Sequence, residues 1–317
     1  LLDNKNVPPH ANLAEGVDPD NPDSYLNFEL NEYAPTLMHK EALGFIEKNK
    51  NNPFFLYYAS PLPHVPLQAP KKWVNYYRNK LGGESPYTGK SYFPNLTPRA
   101  TYAAMISYLD EQVGDLINKL KEIGQYENTL IIFTSDNGPT YTGGADTPFF
   151  NSAMPFKTEY GWAKGFVHEG GIRVPMIASW PRKIKKGSHS NHLSAFQDMM
   201  PTFCDIVGVS NPNNVDGISL MPTLLGSRQS KTHKYLYWEF PAYKGQQAVR
   251  MGKWKAIRRN IFDGNMDIEL YDLENDIIEQ KNVANLYPEI ILEIKKIMLE
   301  SRNRPIYERF RFPQLGD

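Results

Sequence analysis

The chain has 317 residues, which is enough for roughly two domains. Its 35 lysines and arginines equal its 35 aspartates and glutamates, a balance that argues against a non-specific nucleic-acid binder, which would be basic. No apolar run approaches the ~20 residues of a membrane span, and the single cysteine, Cys204, excludes an internal disulfide framework and a multi-cysteine zinc site.

The first thirty or so residues are rich in Asn, Asp and Pro without a clear period and read as a loop. The N-terminal residues lack a charged leader followed by an apolar stretch, and they lack an initiating Met, so the chain is expected to begin inside a longer polypeptide. Leu37, Leu43, Phe45 and Ile46 predict a helix over 36–48. Pro53-Phe54-Phe55-Leu56-Tyr57-Tyr58-Ala59 reads as a fully buried strand running into Ser60-Pro61-Leu62-Pro63-His64-Val65-Pro66. A long helix over 98–123 follows from the three- and four-residue steps between Tyr102, Met105, Ile106, Leu109, Val113, Leu116, Ile117 and Leu120. Thr97 is placed to cap it, Pro98 suits its first turn, and Gly124 ends it.

Strands are expected at 129–133 and at 173–180, although Pro175 argues against a central position for the second. Helices that lead into apolar strands predict a parallel sheet with crossover connections. A helix over 199–207 stops at Gly208 and holds Cys204 as a small buried hydrophobe. Near 227–231 the pattern changes to short, closely spaced segments at 235–240, 247–251, 253–258 and 268–271, an antiparallel meander. A last helix covers 287–302. The expected organisation is an α/β domain over 1–228 and a small antiparallel-sheet and helix subdomain over 229–317.

Four residues are candidates for chemistry. The apolar run Leu130-Ile131-Ile132-Phe133 ends in Thr134-Ser135-Asp136-Asn137-Gly138, so a carboxylate and an amide stand where open α/β sheets bind ligands. Both offer oxygen, which suits a hard cation. Equally, both side chains can bond nearby backbone as an Asx turn. His64 sits in a loop stiffened by Pro63 and Pro66, ready as a proton or hydrogen-bond donor or simply solvated. Lys164, followed by Gly165 and later Gly170-Gly171, can present a point charge to an anion or lie on the surface beside a turn. Glu169 and Arg173, four apart, read as a structural pair.

Taken in order, these segments resemble the type I, formylglycine-dependent sulfatases of the alkaline phosphatase superfamily. The resemblance rests on Pro53-Phe54-Phe55-Leu56-Tyr57 leading to Pro63-His64-Val65-Pro66, and on Ile132-Phe133-Thr134-Ser135-Asp136-Asn137-Gly138. It continues through Lys164-Gly165, Glu169-Gly170-Gly171-Ile172-Arg173-Val174-Pro175, Asp198-Met199-Met200-Pro201-Thr202, and Asp216-Gly217-Ile218-Ser219-Leu220. Leu236-Tyr237-Trp238-Glu239-Phe240, Trp254-Lys255 and Leu270-Tyr271-Asp272-Leu273 look like the family's C-terminal subdomain. It implies an alkaline-phosphatase-like sandwich with a mostly parallel central sheet. It also implies one Ca²⁺ with Asp136 and Asn137 among its ligands, Lys164 on the sulfate, and His64 donating to the leaving oxygen. Asp136 would further lie near the nucleophile's hydroxyl.

One departure from the family stands out. The Cys/Ser-x-Pro/Ala-x-Arg signature, whose first residue becomes formylglycine, does not occur in these residues. The paired acidic metal ligands of the first strand and the Lys-x-His segment are missing too. The resemblance therefore implies that these elements precede residue 1. It implies an incomplete Ca²⁺ site, dependence on that N-terminal portion as a partner, and no activity of these residues alone. The expected activity of the whole is sulfate-ester hydrolysis, on a sulfated carbohydrate rather than a small aryl sulfate, in a secreted or periplasmic setting. Tyr141, Phe149, Phe150, Phe156, Tyr160 and Trp162 are expected along the site, with His233, Trp238 and Arg250 as another wall. The competing readings are a phosphatase or phosphodiesterase of the same superfamily, and a non-catalytic remnant that binds sulfated glycan.

Overall fold

A computed structural model describes residues 12–29 and 32–317. The readings made for residues 1–11 lie outside them. The described chain forms two compact units: one runs to Thr129 and takes in Thr140–Phe150, the other comprises Leu130–Pro139 and Asn151–Asp317. Residue 228 is an edge of neither.

The first unit is helical. It contains α1 (Ala34–Lys48), α2 (Lys71–Leu81), α3 (Pro98–Glu122) and the single turn α4 (Thr147–Phe150). In α3 the repeating apolar positions do bury: Tyr102, Met105 and Tyr108 pack with Leu62, Val65 and Leu67 of the proline-rich loop. Its start is not capped by Thr97. The Glu84 carboxylate accepts instead from the backbone N–H groups of Arg99 and Ala100, the latter at 3.1 Å. This satisfies donors that every helix start leaves open. Gly124 follows the helix with φ +72°, a conformation glycine adopts without cost.

Helix α2 sets Trp73 against the cluster around Tyr102 and Met105, and its polar tips fix its place. Trp73 Nε1 donates to Glu111 at 2.6 Å, and the Tyr77 and Ser107 hydroxyls meet at 2.7 Å. The fully buried Gln112 of α3 accepts from Tyr58 at 3.1 Å and donates to the Pro35 carbonyl at 3.0 Å.

Residues 53–59 are a correction to the sequence reading. They belong to neither sheet of the described residues, and Phe55 and Tyr57 are 66% and 81% exposed. Phe54, Leu56 and Tyr58 are half-buried, so the segment keeps a two-residue alternation. An apolar run becomes a buried strand only when ladders and layers cover both faces, and here one face is covered.

The second unit holds both sheets. Strand β1 (Ile131–Thr134) pairs antiparallel with β2 (Met176–Ser179), in the register Ile131↔Ser179 to Thr134↔Met176. No parallel ladder forms among the described residues. A parallel pair needs a crossover of a dozen or more residues, usually a helix. Here the connection holds only two single helical turns, α4 and α5 (Glu169–Ile172), between loops.

Helices α6 (Met199–Val207) and α7 (Met221–Leu224) follow, and Gly208 ends α6 in the left-handed conformation. The expected meander forms as β3 (Leu236–Phe240), β4 (Gln246–Met251), β5 (Trp254–Arg259) and β6 (Glu269–Asp272), antiparallel in the order β3-β4-β5-β6. Both its faces are covered. Helix α8 (Pro288–Glu300) sets Ile294, Ile297 and Met298 against Val249, Ala256 and Leu270. On a second cluster, Val167 packs with Ala248, Ile257, Tyr271 and Leu273. Val167 belongs to the loop that carries Lys164, so this sheet is the platform under that loop.

Candidate active site

The turn after β1 is locked by backbone contact. The Gly138 N–H donates to the Gly171 carbonyl at 2.9 Å, and a Cβ on Gly138 would lie 1.8 Å from the Gly170 oxygen. A Cβ on Gly170 would lie 2.0 Å from the Lys157 oxygen, and one on Gly171 2.0 Å from the Phe166 oxygen. The glycines of both motifs are thus demanded by close approach of main chain to main chain. The Lys164 N–H donates to the Pro139 carbonyl at 3.3 Å. Together these contacts bring Lys164 into electrostatic reach of Asp136. Partial burial lowers the Lys164 pKa, and the Asp136 charge offsets part of that shift.

Asp136 and Asn137 resolve the Asx-turn alternative in part. The Asn137 amide donates from Nδ2 to the Gly138 carbonyl at 2.9 Å, which leaves Oδ1 as its open donor atom. Ser135 Oγ donates to the Asn137 carbonyl at 2.9 Å. The Asp136 carboxylate is exposed and accepts no hydrogen bond among the described residues. Two side chains with uncommitted oxygens suit a hard cation, which takes six to eight oxygen ligands when it is calcium. Among the described residues no group of three or more His, Cys, Asp and Glu is placed to hold a metal. The donor set fits calcium in kind and is incomplete in number.

His64 belongs to the first unit. Its Nδ1 lies 2.5 Å from the Val65 carbonyl, so Nδ1 carries the proton and Nε2 is left to work. The His64 N–H donates to the Pro61 carbonyl at 2.7 Å, and the Tyr92 ring lies 6.3 Å away edge-on. The structure therefore brings Asp136, Asn137 and Lys164 together within one unit and fixes His64 within the other.

Sequence reasoning missed what supports the loop. Glu169 does meet Arg173, at 3.3 Å, but its shorter bond is to Lys255 Nζ at 2.8 Å. Lys255 is fully buried on β5 and also lies 3.4 Å from Glu279, whose other oxygen accepts from the Glu169 N–H at 2.7 Å. Burial opposes ionisation of Glu169, yet the Lys255 charge and hydrogen bond outweigh it and lower its pKa. Burial raises the Glu279 pKa above the usual carboxylate range. The available signal was Lys255 itself, a lysine between the apolar Trp254 and Ala256 of β5. His168 is also fully buried, 4.2 Å from the Trp162 ring, and burial followed by the nearby Lys255, Arg259 and Lys157 charges lowers its pKa to about 2. His233, expected on a substrate wall, is instead buried on Asp198 at 2.8 Å, where that carboxylate also accepts from the Ala195 and Ile218 N–H groups.

The sulfatase family model matches residues 7–209, and that of the N-sulphoglucosamine sulphohydrolase C-terminal region matches 158–304. The chain belongs to the sulfatase family. It is 34% identical over 191 residues to N-acetylglucosamine-6-O-sulfatase of Bacteroides thetaiotaomicron, covering 57% of this chain and 31% of that protein. It is 29% identical over 282 residues to arylsulfatase A of Homo sapiens, covering 80% and 49%. The crystal structure of Ps i-CgsB in complex with k-i-k-neocarrahexaose matches with a TM-score of 0.70 at 28% identity, covering 91% of this chain and 58% of that one. The chain thus spans less than two thirds of the length of each of these relatives. Its mixed α/β fold with a small antiparallel sheet is theirs.

Proposed function

We propose that the protein containing these residues hydrolyses sulfate esters of a carbohydrate. The observation that carries this is the locked turn that sets two oxygen donors, Asp136 and Asn137, beside the cation of Lys164 in a chain of the sulfatase family. Asp136 and Asn137 would be two ligands of one Ca²⁺. When bound, that ion supplies charge neutralisation at a sulfate oxygen and lowers the pKa of the nucleophile. Lys164 holds the sulfate as a point charge and stabilises negative charge that grows on the ester oxygen, a fixed donor aimed at developing charge. His64 donates from Nε2, as imidazolium, to the leaving sugar oxygen.

On this reading a formylglycine nucleophile and the remaining metal ligands would be supplied from outside these 317 residues, which carry no such signature. A carbohydrate substrate is favoured by relatives named N-acetylglucosamine-6-O-sulfatase and N-acetylgalactosamine-6-sulfatase. The amide of Asn137, an oxygen donor rather than an imidazole, favours one hard cation over a two-zinc phosphatase site.

The test uses the complete polypeptide. A panel of defined sulfated oligosaccharides is assayed for sulfate release with added calcium and with chelator, beside an aryl sulfate and an aryl phosphate. Calcium-dependent release from one class of sulfated sugar is expected, with a loss of about 10²–10³ in kcat for Lys164→Ala. Preference for the phosphate, or saturable glycan binding without any sulfate release, would overturn the assignment.

A further inference from the structure

Next to Lys164 the second unit contains a cavity of about 230 Å³ lined by Tyr160, Phe166, Tyr243, Lys244, Arg259 and Asn260, among others. Its wall includes Phe166, two residues after Lys164. Gly165 has φ +86°, and a Cβ there would lie 2.5 Å from Tyr243 Cε2 and 3.2 Å from the Tyr243 hydroxyl. The tyrosine ring therefore rests on the backbone beside the lysine, and Gln246 Nε2 holds the Gly165 carbonyl at 2.9 Å. Tyr243 and Lys244 have φ +51° and +69°, a left-handed backbone uncommon for residues with a side chain. Such outliers cluster where a side chain must be aimed.

The rings form a corner. Tyr160 and Tyr243 stand 6.2 Å apart at 71°, and Phe166 backs Tyr243 at 4.7 Å. Tyr160 is 66% and Tyr243 43% exposed, so apolar faces with polar tips are presented to solvent. Two cations and no carboxylate line the cavity. Lys244 is exposed and paired with Asp263 at 2.8 Å. Arg259 is fixed by Glu269 Oε1 through Nε at 3.2 Å and Nη2 at 2.5 Å, and its Nη1 keeps its donors uncommitted among the described residues.

We propose that this cavity is a subsite for the sugar next to the one being desulfated. Its ring packs on Tyr160 and Tyr243, and its anionic substituent, a sulfate or a carboxylate, is held by Arg259. The inference rests on the reading of Lys164 as the sulfate-holding group. It makes the protein a reader of two adjacent sugars rather than one.

The test separates the two claims. Disaccharides are prepared that lack the scissile sulfate, so they cannot turn over, and that carry on the neighbouring sugar a sulfate, a carboxylate or neither. Binding to the complete polypeptide is measured by calorimetry. The anionic disaccharides are expected to bind at least tenfold more tightly than the neutral one, and whichever of the two binds more tightly identifies the substituent. Tyr243→Ala and Arg259→Gln should each remove about tenfold of that affinity. Should Tyr243→Ala not fold, judged by its melting curve, Tyr160→Ala replaces it. With hydrolysable substrates, the ratio of kcat/KM for the anionic disaccharide over the monosaccharide should fall about tenfold in the same variants. Equal binding of charged and neutral disaccharides, or variants that bind like the parent, overturns the subsite. Intact binding with no sulfate release from any ester overturns the hydrolase reading and leaves the subsite standing.

Discussion

The two sheets of the second unit are built to different standards. In the meander, Ala248, Val249, Ala256 and Ile257 are fully buried between α8 on one face and the Val167 loop on the other. In the β1–β2 pair, Phe133, Met176 and Ile177 are 38%, 39% and 63% exposed. Yet β1, not the meander, delivers Asp136 and Asn137. Among the described residues the two sheets are joined by residues 157–172: Val167 and Glu169 face the meander, while Gly170 and Gly171 grip the turn after β1. The β1–β2 pair is not covered on both faces among the described residues, and the loop over 157–172 holds the turn after β1.

The largest test of this division removes the buried cation. Lys255→Met removes the buried cation shared by Glu169 and Glu279 and leaves Glu169 only its longer bridge to Arg173; breaking a buried pair in this way costs about 3–5 kcal/mol. Urea unfolding should show that loss, and calcium affinity should fall with it because Glu169 anchors the loop that holds Gly138. A variant as stable as the parent would mean that the meander does not support the site.

Much of this was legible beforehand, and the reasons are local. Helices α3 and α8 declare themselves through apolar spacing, because each buries one stripe, and the meander through its short, closely spaced segments. The pairing of Asp136 and Asn137 with Lys164 was expected from the family resemblance alone, whereas Gly170 and Gly171, read as room for a ligand, instead pack against main chain, as Gly138 does. Helix α2 was not legible, since its fit depends on Trp73 and Tyr77 reaching Glu111 and Ser107 far along the chain. Residues 53–59 misled, because an apolar run does not tell whether one face or two will be covered. Lys255 could be singled out, but its partners could not: residues 169, 255 and 279 meet only when the loop lands on the sheet.

A smaller change attacks the joint from the other side. In Gly138→Ala the new methyl would overlap the Gly170 carbonyl, an atom of backbone that cannot swing away. Overpacking of this kind costs about 1–3 kcal/mol, less than the loss of Lys255. Activity should suffer out of proportion, by about 10²-fold in kcat, because a 1 Å misplacement of positioned groups has that effect. The signature is a melting point near that of the parent with calcium affinity and turnover lost. Parallel loss of stability and activity would merge the two roles that the sheets divide.

Acid probes the same loop. His168 has a folded pKa of about 2 against an unfolded value near 6.5, so the unfolded chain takes up a proton that the folded one refuses. The stability it permits is full above the unfolded pKa and is lost as pH falls from there toward 2. The slope is about 1.4 kcal/mol per pH unit for one proton. His168→Phe, which keeps a ring against Trp162, should flatten the curve between about pH 6 and 4 by that slope. An unchanged slope would show that His168 accepts its proton inside the folded loop.

The smallest effect expected is at the exposed sheet. Ile177→Thr alters a side chain that is 63% exposed and keeps the β-branched shape that strands favour. Surface changes of this kind stay within about 0.5 kcal/mol, whereas Ile257→Ala in the meander should cost about 2–5 kcal/mol. The contrast is informative because both residues are isoleucines on strands of one unit, differing only in what covers them. Should Ile177→Thr cost as much as the core change in the complete polypeptide, something covers the β1–β2 face there. The ligand-bearing sheet would then be as well supported as the meander, and the loop would no longer be its chief anchor.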